Sequence, residues 1–323
     1  MKLKNLLVLA VPAFFWAACS SDSESTPAQP PVPTEISSAS TVDPSVPAEP
    51  SDPANPAIPG IESSASVDGV PLSSDAGSDP VDPAVPFVPE ELVYDSIGFA
   101  DIANAFHTVA PDEKVVFVLR HAERESGVGR ETPLTENGIL QAQSVGQKLI
   151  SADEFVYAHT AYVRTKETAC NIALGRGQVQ VCDDSFVSDT ISELTGGWFI
   201  KDEDLRDSYV SSTGKDTNTS VIVSLWAYDG QFADAFYDLE ERSLEVINTY
   251  LIKDYAEMPK AKVVISHDEF VVPLIAWATN KTASIRYKWG RWWVNYLTGL
   301  AIIVNSKNEV RYIGIKGLET ATE

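Results

Sequence analysis

Residues 20–89 set the outer limit on what this chain can fold into. The stretch holds 15 of the chain's 20 prolines, eleven acidic residues and no lysine or arginine. It repeats Pro, Ser, Ala, Val and Asp with neither a helical nor a strand period. Such a segment buries too little apolar surface to offset the entropy of ordering it. The composition therefore predicts a disordered, semi-extended linker that serves as a spacer. Folding is left to Glu90–Glu323, enough for one sizeable α/β domain. That part carries 35 acidic against 22 basic residues, a net charge of −13. So acidic a domain argues against nucleic acid or an anionic membrane surface as its main partner.

Ahead of the linker, Met1–Cys19 opens with lysines at positions 2 and 4, continues in an apolar run from Leu6 to Ala18 and ends on a cysteine. This is the layout of a secretory signal. The run is short of the roughly 20 residues that span a bilayer as a helix. Ala17-Ala18-Cys19 followed by Ser20 resembles a bacterial lipobox, with Trp16 standing where Leu is usual. The resemblance implies a lipidated Cys19 and a domain tethered in a bacterial envelope membrane, by preference the outer one, facing the periplasm or the cell surface. The alternative is an ordinary cleaved signal. In an exported protein Cys170 and Cys182, twelve residues apart, are expected to form a disulfide.

Within the domain, strand-like apolar runs occupy Val115–Arg120, Glu154–His159, Val179–Cys182, Lys262–Ser266, Leu300–Asn305 and Val310–Ile315. Helical periods lie between them. Thr135 is placed to cap a helix whose Ile139, Ala142, Val145, Gly146 and Leu149 share a face. A second helix is expected from about Tyr162 to Leu174, stopping at Gly175. A long third follows Asp229-Gly230, from Phe232 to Leu251, and a fourth starts near Pro273. Strands alternating with helices predict a three-layer α/β sandwich: a mostly parallel central sheet with helices on both faces.

In such sheets ligands bind beyond the carboxyl ends of the strands. There the sequence sets Arg120-His121, at the end of the strand in "VVFVLRHAERE", and His267, at the end of the strand in "KVVISHDEF". Arg164 follows a third strand, in the first turn of its helix. Arginines offer fork-shaped donors suited to phosphate, and a helix N-terminus adds N–H groups. A histidine inside an anion site of that kind is a nucleophile for phosphorus, with the arginines and second histidine neutralising developing charge. The leaving alcohol then needs a carboxylic acid as proton donor.

The succession "LRHAER", "PLTENGILQAQSVGQKL", "RTKETA" and "VISHDEF", over about Val115–Ala278, resembles the histidine phosphatase superfamily, chiefly its phosphoglycerate mutase-like branch. The resemblance implies a phosphorylated nucleophile at His121 and a phosphate pocket of Arg120, Arg164 and His267. Ala122 replaces the usual Gly. For the proton donor, Glu193 in "ISELTGGWF" matches the mutase-like branch, whereas Asp268 matches the acid phosphatase branch. Arg124 also matches an extra phosphate-binding arginine of that second branch. Ser188–Tyr228 falls where the family inserts substrate-covering segments.

His159 reads as a strand-end residue beside the site, His107 as surface or satisfied core, and Trp289, Trp292 and Trp293 as core. No cofactor is expected, and no histidine and carboxylate cluster has metal-ligand spacing. Two functions stay open: an exported phosphomonoesterase acting on a small phosphorylated substrate, and a non-catalytic phospho-ligand-binding or surface lipoprotein that retains the pocket. A mutase fits poorly, because the signal removes the chain from phosphorylated glycolytic metabolites.

Overall fold

The computed structural model describes residues 87–127, 129–215, 217–285 and 294–318. The signal with Cys19, nearly all of the linker, and Trp289, Trp292 and Trp293 lie outside the described residues. In chain order the elements are β1 (Ala100–Asp101), α1 (Ile102–His107), β2 (Lys114–Arg120), α2 (Glu136–Lys148), β3 (Phe155–His159), α3 (Val163–Gly175), β4 (Asp189–Thr190), α4 (Glu203–Thr213), α5 (Thr219–Asp229), α6 (Leu239–Val246), β5 (Ala261–Ser266), α7 (Asp268–Ala278), β6 (Thr298–Val304) and β7 (Val310–Lys316).

The strands form one sheet in the order β1-β7-β6-β2-β5-β3-β4. β5 lies parallel between β2 and β3, and β4 extends that parallel block. β6 runs antiparallel to β2 and β7. Helices cover both faces. On one, Val116, Val118 and Val264 meet Ile222 of α5, Val246 of α6 and Phe270 of α7. On the other, Phe117, Leu119 and Val263 meet Ile102 of α1, Val145 of α2 and Ile172 of α3. A strand covered on both faces reads as a continuous apolar run, which is why Val115–Leu119 is apolar without alternation. The expected α/β sandwich with a mostly parallel sheet is therefore present.

The parallel block fixes the site's position. Arg120 pairs with Ser266, and His159 with Ile265, so β2, β3 and β5 all end at one edge of the sheet. α2 begins as expected, its Thr135 side chain accepting from Gly138 N at 2.9 Å. It packs on α3 at very short range. A Cβ on Gly146 would stand 2.2 Å from the Ile172 carbonyl oxygen, and one on Gly175 2.1 Å from that of Gln143. Gly175 is thus a packing residue inside α3. The helix is closed instead by Gly177, at φ +78°, whose N–H reaches the Leu174 carbonyl at 2.9 Å.

Other expectations are corrected. Val179–Cys182 forms no strand; it is a loop tied down by the Cys170–Cys182 disulfide, with Cα atoms 5.7 Å apart. The long third helix is broken at its start, because Phe232 adopts a left-handed φ of 58° before a 3-10 turn at Ala233–Ala235. α6 starts only at Leu239, where the Asp238 side chain caps Glu241 N, and runs into a π turn at Ile247–Leu251. α7 starts directly after His267 and carries Pro273 in its interior. No described helix is long and apolar enough to cross a membrane.

Candidate active site

The edge where β2, β3 and β5 end gathers the residues singled out in the sequence. His121 is 3% exposed, Arg120 5% and His267 8%. The His121 backbone N–H continues the β2–β5 ladder by donating to the Ser266 carbonyl at 3.0 Å. Its Nδ1 lies 2.8 Å from the Ala122 carbonyl. A carbonyl only accepts, so Nδ1 carries the hydrogen and Nε2 presents a lone pair. That lone pair receives Arg164 Nε–H at 3.2 Å. Arg164 Nη2 donates in turn to His267 Nδ1 at 3.4 Å, and Nη1 to the Gly129 carbonyl at 3.1 Å. His267 Nε2 lies 3.0 Å from Thr160 Oγ1, which is 2.9 Å from Thr165 Oγ1. The structure thus unites Arg120, His121, Arg164 and His267, as the strand-end argument anticipates.

Aromatic rings wall the cluster. Tyr162 meets His267 edge-on with centroids 4.6 Å apart, and the Arg164 guanidinium lies 4.4 Å from its centre. Tyr296 lies 5.9 Å from the His121 ring and 4.5 Å from the Arg120 guanidinium. Arg120 also donates to the Val294 carbonyl.

Both histidines are held neutral. Burial first, then the Arg120 charge, lowers the His121 pKa well below its ordinary value, while the Ala122 carbonyl pulls the other way. Burial and Arg164 bring His267 down to about 3. A neutral imidazole whose Nε2 lone pair is held only by an arginine N–H, among fixed cations, can become a nucleophile once an anion takes over that hydrogen bond.

The two candidate proton donors differ. Asp268, the first residue of α7, lies 3.4 Å from Arg120 Nη2 and accepts from Ser220 Oγ at 3.0 Å. Burial alone would raise its pKa; the Arg120 charge, with hydrogen bonds from Ser220 and the Glu269 N–H, holds it below the ordinary value. Asp268 is thereby kept ionised, which suits an orienting counter-charge better than an acid. Glu193 is exposed, in the loop after β4. That loop is firmly seated: Ile191 N donates to the His159 carbonyl at 2.9 Å, and Ser266 Oγ donates to the Leu194 carbonyl at 2.5 Å.

Arg124 turns its guanidinium to the carbonyls of Glu125 and Gly127, closing its own loop, yet its charge is felt by both Arg164 and His267. The Val163 N–H at the start of α3, expected to face an anion, donates instead to the Arg130 carbonyl at 3.0 Å. His159 closes β3 beside the site, and His107 pairs with Glu90 at the surface at 3.1 Å.

Thr160, Tyr162, Ser220, Glu269 and Tyr296 were not singled out in the sequence. Thr160 and Tyr162 had a usable signal, since they follow the end of a parallel strand. Glu269 lies against the turn after Glu193: a Cβ on Gly196 would be 2.4 Å from Glu269 Oε2. Burial, then Asp268, pushes the Glu269 pKa up to about 7. No group of three or more metal-ligating side chains occurs among the described residues.

Comparison with known proteins adds a family. The profile of the histidine phosphatase superfamily (branch 1) matches residues 116–291. Among solved structures, the chain is similar to phosphoglycerate mutase from Bacillus anthracis str. Sterne, with 15% identity over 63% of this chain and 92% of that chain at a TM-score of 0.39. It is similar to YhfR of Bacillus stearothermophilus, with 18% identity over 64% and 98% at 0.39. It is also similar to a mutant phosphoserine phosphatase from Entamoeba histolytica in complex with phosphoserine, with 13% identity over 62% and 94% at 0.36. No curated protein matches the chain.

Proposed function

The chain belongs to the histidine phosphatase superfamily, and from that premise we propose that it is a phosphomonoesterase that works through a phosphohistidine at His121. One observation carries the reading. A buried, neutral His121 offers its Nε2 lone pair to the pocket, with Arg164 Nε 3.2 Å away and His267 joined to the same guanidinium. In the proposed reaction an incoming phosphate monoester takes the Arg164 hydrogen bonds onto its oxygens, which frees Nε2. Nε2 attacks phosphorus, the bond from phosphorus to the ester oxygen breaks, and the departing oxygen takes a proton from a carboxylic acid. Water then attacks the phosphohistidine and gives up a proton to the conjugate carboxylate; phosphate leaves and His121 is regenerated.

We assign the acid to Glu193. The support is that Asp268 is committed to Arg120 and ionised, while Glu193 stands on a loop clamped to the ends of β3 and β5. Export with a lipid anchor at Cys19 belongs to the same proposal. Its supports are the signal-like layout of residues 1–19 and the Cys170–Cys182 disulfide, a bond that persists in oxidising compartments.

The second reading, a surface lipoprotein that binds phospho-ligands without turnover, draws on the exposure of Glu193, whose side chain has no hydrogen bond or ion pair among the described residues. An activated aryl phosphate, with a metal chelator present, separates the two. Phosphate release and an acid-labile phosphoenzyme are expected from the wild type and absent from His121→Ala. Phosphate binding without release supports the second reading. Wild-type turnover in folded His121→Ala overturns the first.

A further inference from the structure

The β2–α2 loop carries one more arginine than a single phosphate needs. Arg120 is balanced by Asp268. Arg164 reaches both histidines and Arg124 adds its charge at the pocket's edge. Arg130 is exposed and stands over the same Tyr162 ring as Arg164: its guanidinium lies 5.6 Å from the ring centre, that of Arg164 4.4 Å. It has no carboxylate partner among the described residues, although the protein as a whole has a net charge of −22.

The position is built. The Arg130 carbonyl accepts from Val163 N at 3.0 Å, and the adjacent Gly129 carbonyl accepts from Arg164 Nη1 at 3.1 Å. The loop is therefore fastened by its backbone to the first turn of α3, through Val163 and Arg164. A cation lying over an aromatic ring is attracted to it, which steadies a side chain that would otherwise range freely in solvent.

We propose that Arg130, over the Tyr162 ring, forms a second anion subsite beside the phosphate pocket, so that the preferred substrates are phosphomonoesters carrying a further anionic group. This rests on the phosphatase reading and names its substrate class. The subsite lies at the rim, so its contribution falls as ionic strength rises.

The test compares ω-carboxyalkyl phosphates of increasing chain length with the ω-hydroxyalkyl phosphates of equal length, on the full chain and on Arg130→Ala and Arg130→Lys. At one length the wild type is expected to favour the carboxylate by about fivefold in kcat/KM, the size of an exposed charge pair. Arg130→Ala should erase that preference through KM, Arg130→Lys should keep part of it, and all three should hydrolyse p-nitrophenyl phosphate alike. Equal rates for both series at every length, or a preference that survives Arg130→Ala, overturns the subsite and leaves the phosphatase reading standing. If no ester is turned over, the phosphatase reading is what fails. Calorimetric binding of the same pairs then decides the subsite by the same ratio.

Discussion

His121 and His159 stand at the ends of β2 and β3, the two strands that flank β5 in the parallel block, in nearly the same way. Each is buried, each closes a strand, and each turns Nδ1 to the carbonyl of the next residue, at 2.8 Å for His121 and 2.6 Å for His159. Burial lowers the pKa of both. What differs is the surroundings. His121 meets Arg120, Arg164 and His267; His159 feels only Lys166 and, in the opposite sense, Asp189. The strand end decides which ring nitrogen carries the hydrogen, and the neighbours decide what the other nitrogen faces. His159 instead serves the site through its backbone, whose carbonyl directs the loop bearing Glu193.

The largest effect expected from breaking this pairing is on turnover. His121→Ala should lower kcat on an aryl phosphate by about 10⁴-fold or more, whereas His159→Gln should stay within about threefold. Equal losses in steady-state rate would show that the shared geometry, and not the neighbours, makes the reagent.

Next comes the loop that His159 steers. Glu193→Gln should slow alkyl phosphates by about 10² to 10⁴-fold and p-nitrophenyl phosphate little, because nitrophenolate leaves without a proton. If Asp268→Asn shows that leaving-group dependence and Glu193→Gln none, the acid is Asp268. Arg164→Ala makes the environment of His121 more like that of His159. It should cost about 10² to 10³-fold in kcat, read by single-turnover kinetics.

The smallest effect concerns acid stability, where the two histidines should act alike. Both bind protons more readily when unfolded, as does His267 with its folded pKa of about 3. Stability should therefore be full above roughly pH 6.5, the unfolded value, and fall as pH drops towards 3. His121→Gln and His159→Gln should each make that decline shallower in urea titrations. Glu269 works in the opposite direction: raised to about 7, it favours folding below its unfolded value and loses that contribution as pH climbs through 7. A Glu269→Gln background removes it from the curve.

The parts legible in the sequence were those dictated by one physical pattern at a time. β2, β3 and β5 announce themselves as apolar runs, and a parallel sheet must deliver their last residues to one edge, so the pattern alone brings Arg120, His121 and His267 together. α4 and α5 escaped for opposite reasons. α4 buries no residue fully and rests on the core only by the short, half-buried stripe of Leu205, Tyr209 and Val210, whereas α5 buries Ile222, Val223, Ser224, Trp226 and Ala227 on adjoining sides and so lacks a polar face. Val179–Cys182 has the apolar residues of a strand but pairs with none: Val181 is exposed, and the segment is held at Cys182 by the disulfide. Ser220 on Asp268 and Tyr296 on His121 depend on segments far apart in the chain, and no local pattern reports such contacts.

The contacts of His267 have a consequence for how the pocket fills. A guanidinium has only hydrogens to give, so the Nδ1 that faces Arg164 accepts, and the neutral ring keeps its single hydrogen on Nε2 for Thr160 Oγ1. The Thr160 hydroxyl passes its own hydrogen to Thr165, which ends the string on the Tyr162 carbonyl at 2.7 Å. Every donor in that string points away from the pocket. A phosphate oxygen arriving at Nδ1 needs a hydrogen that is not there, and with Nε2 already engaged the ring must take one up. A dianion beside it raises its basicity enough to do so. Anion and proton therefore enter as a pair: the measured heat of phosphate binding should vary with the ionisation enthalpy of the buffer, and the affinity should weaken as hydrogen ions become scarce.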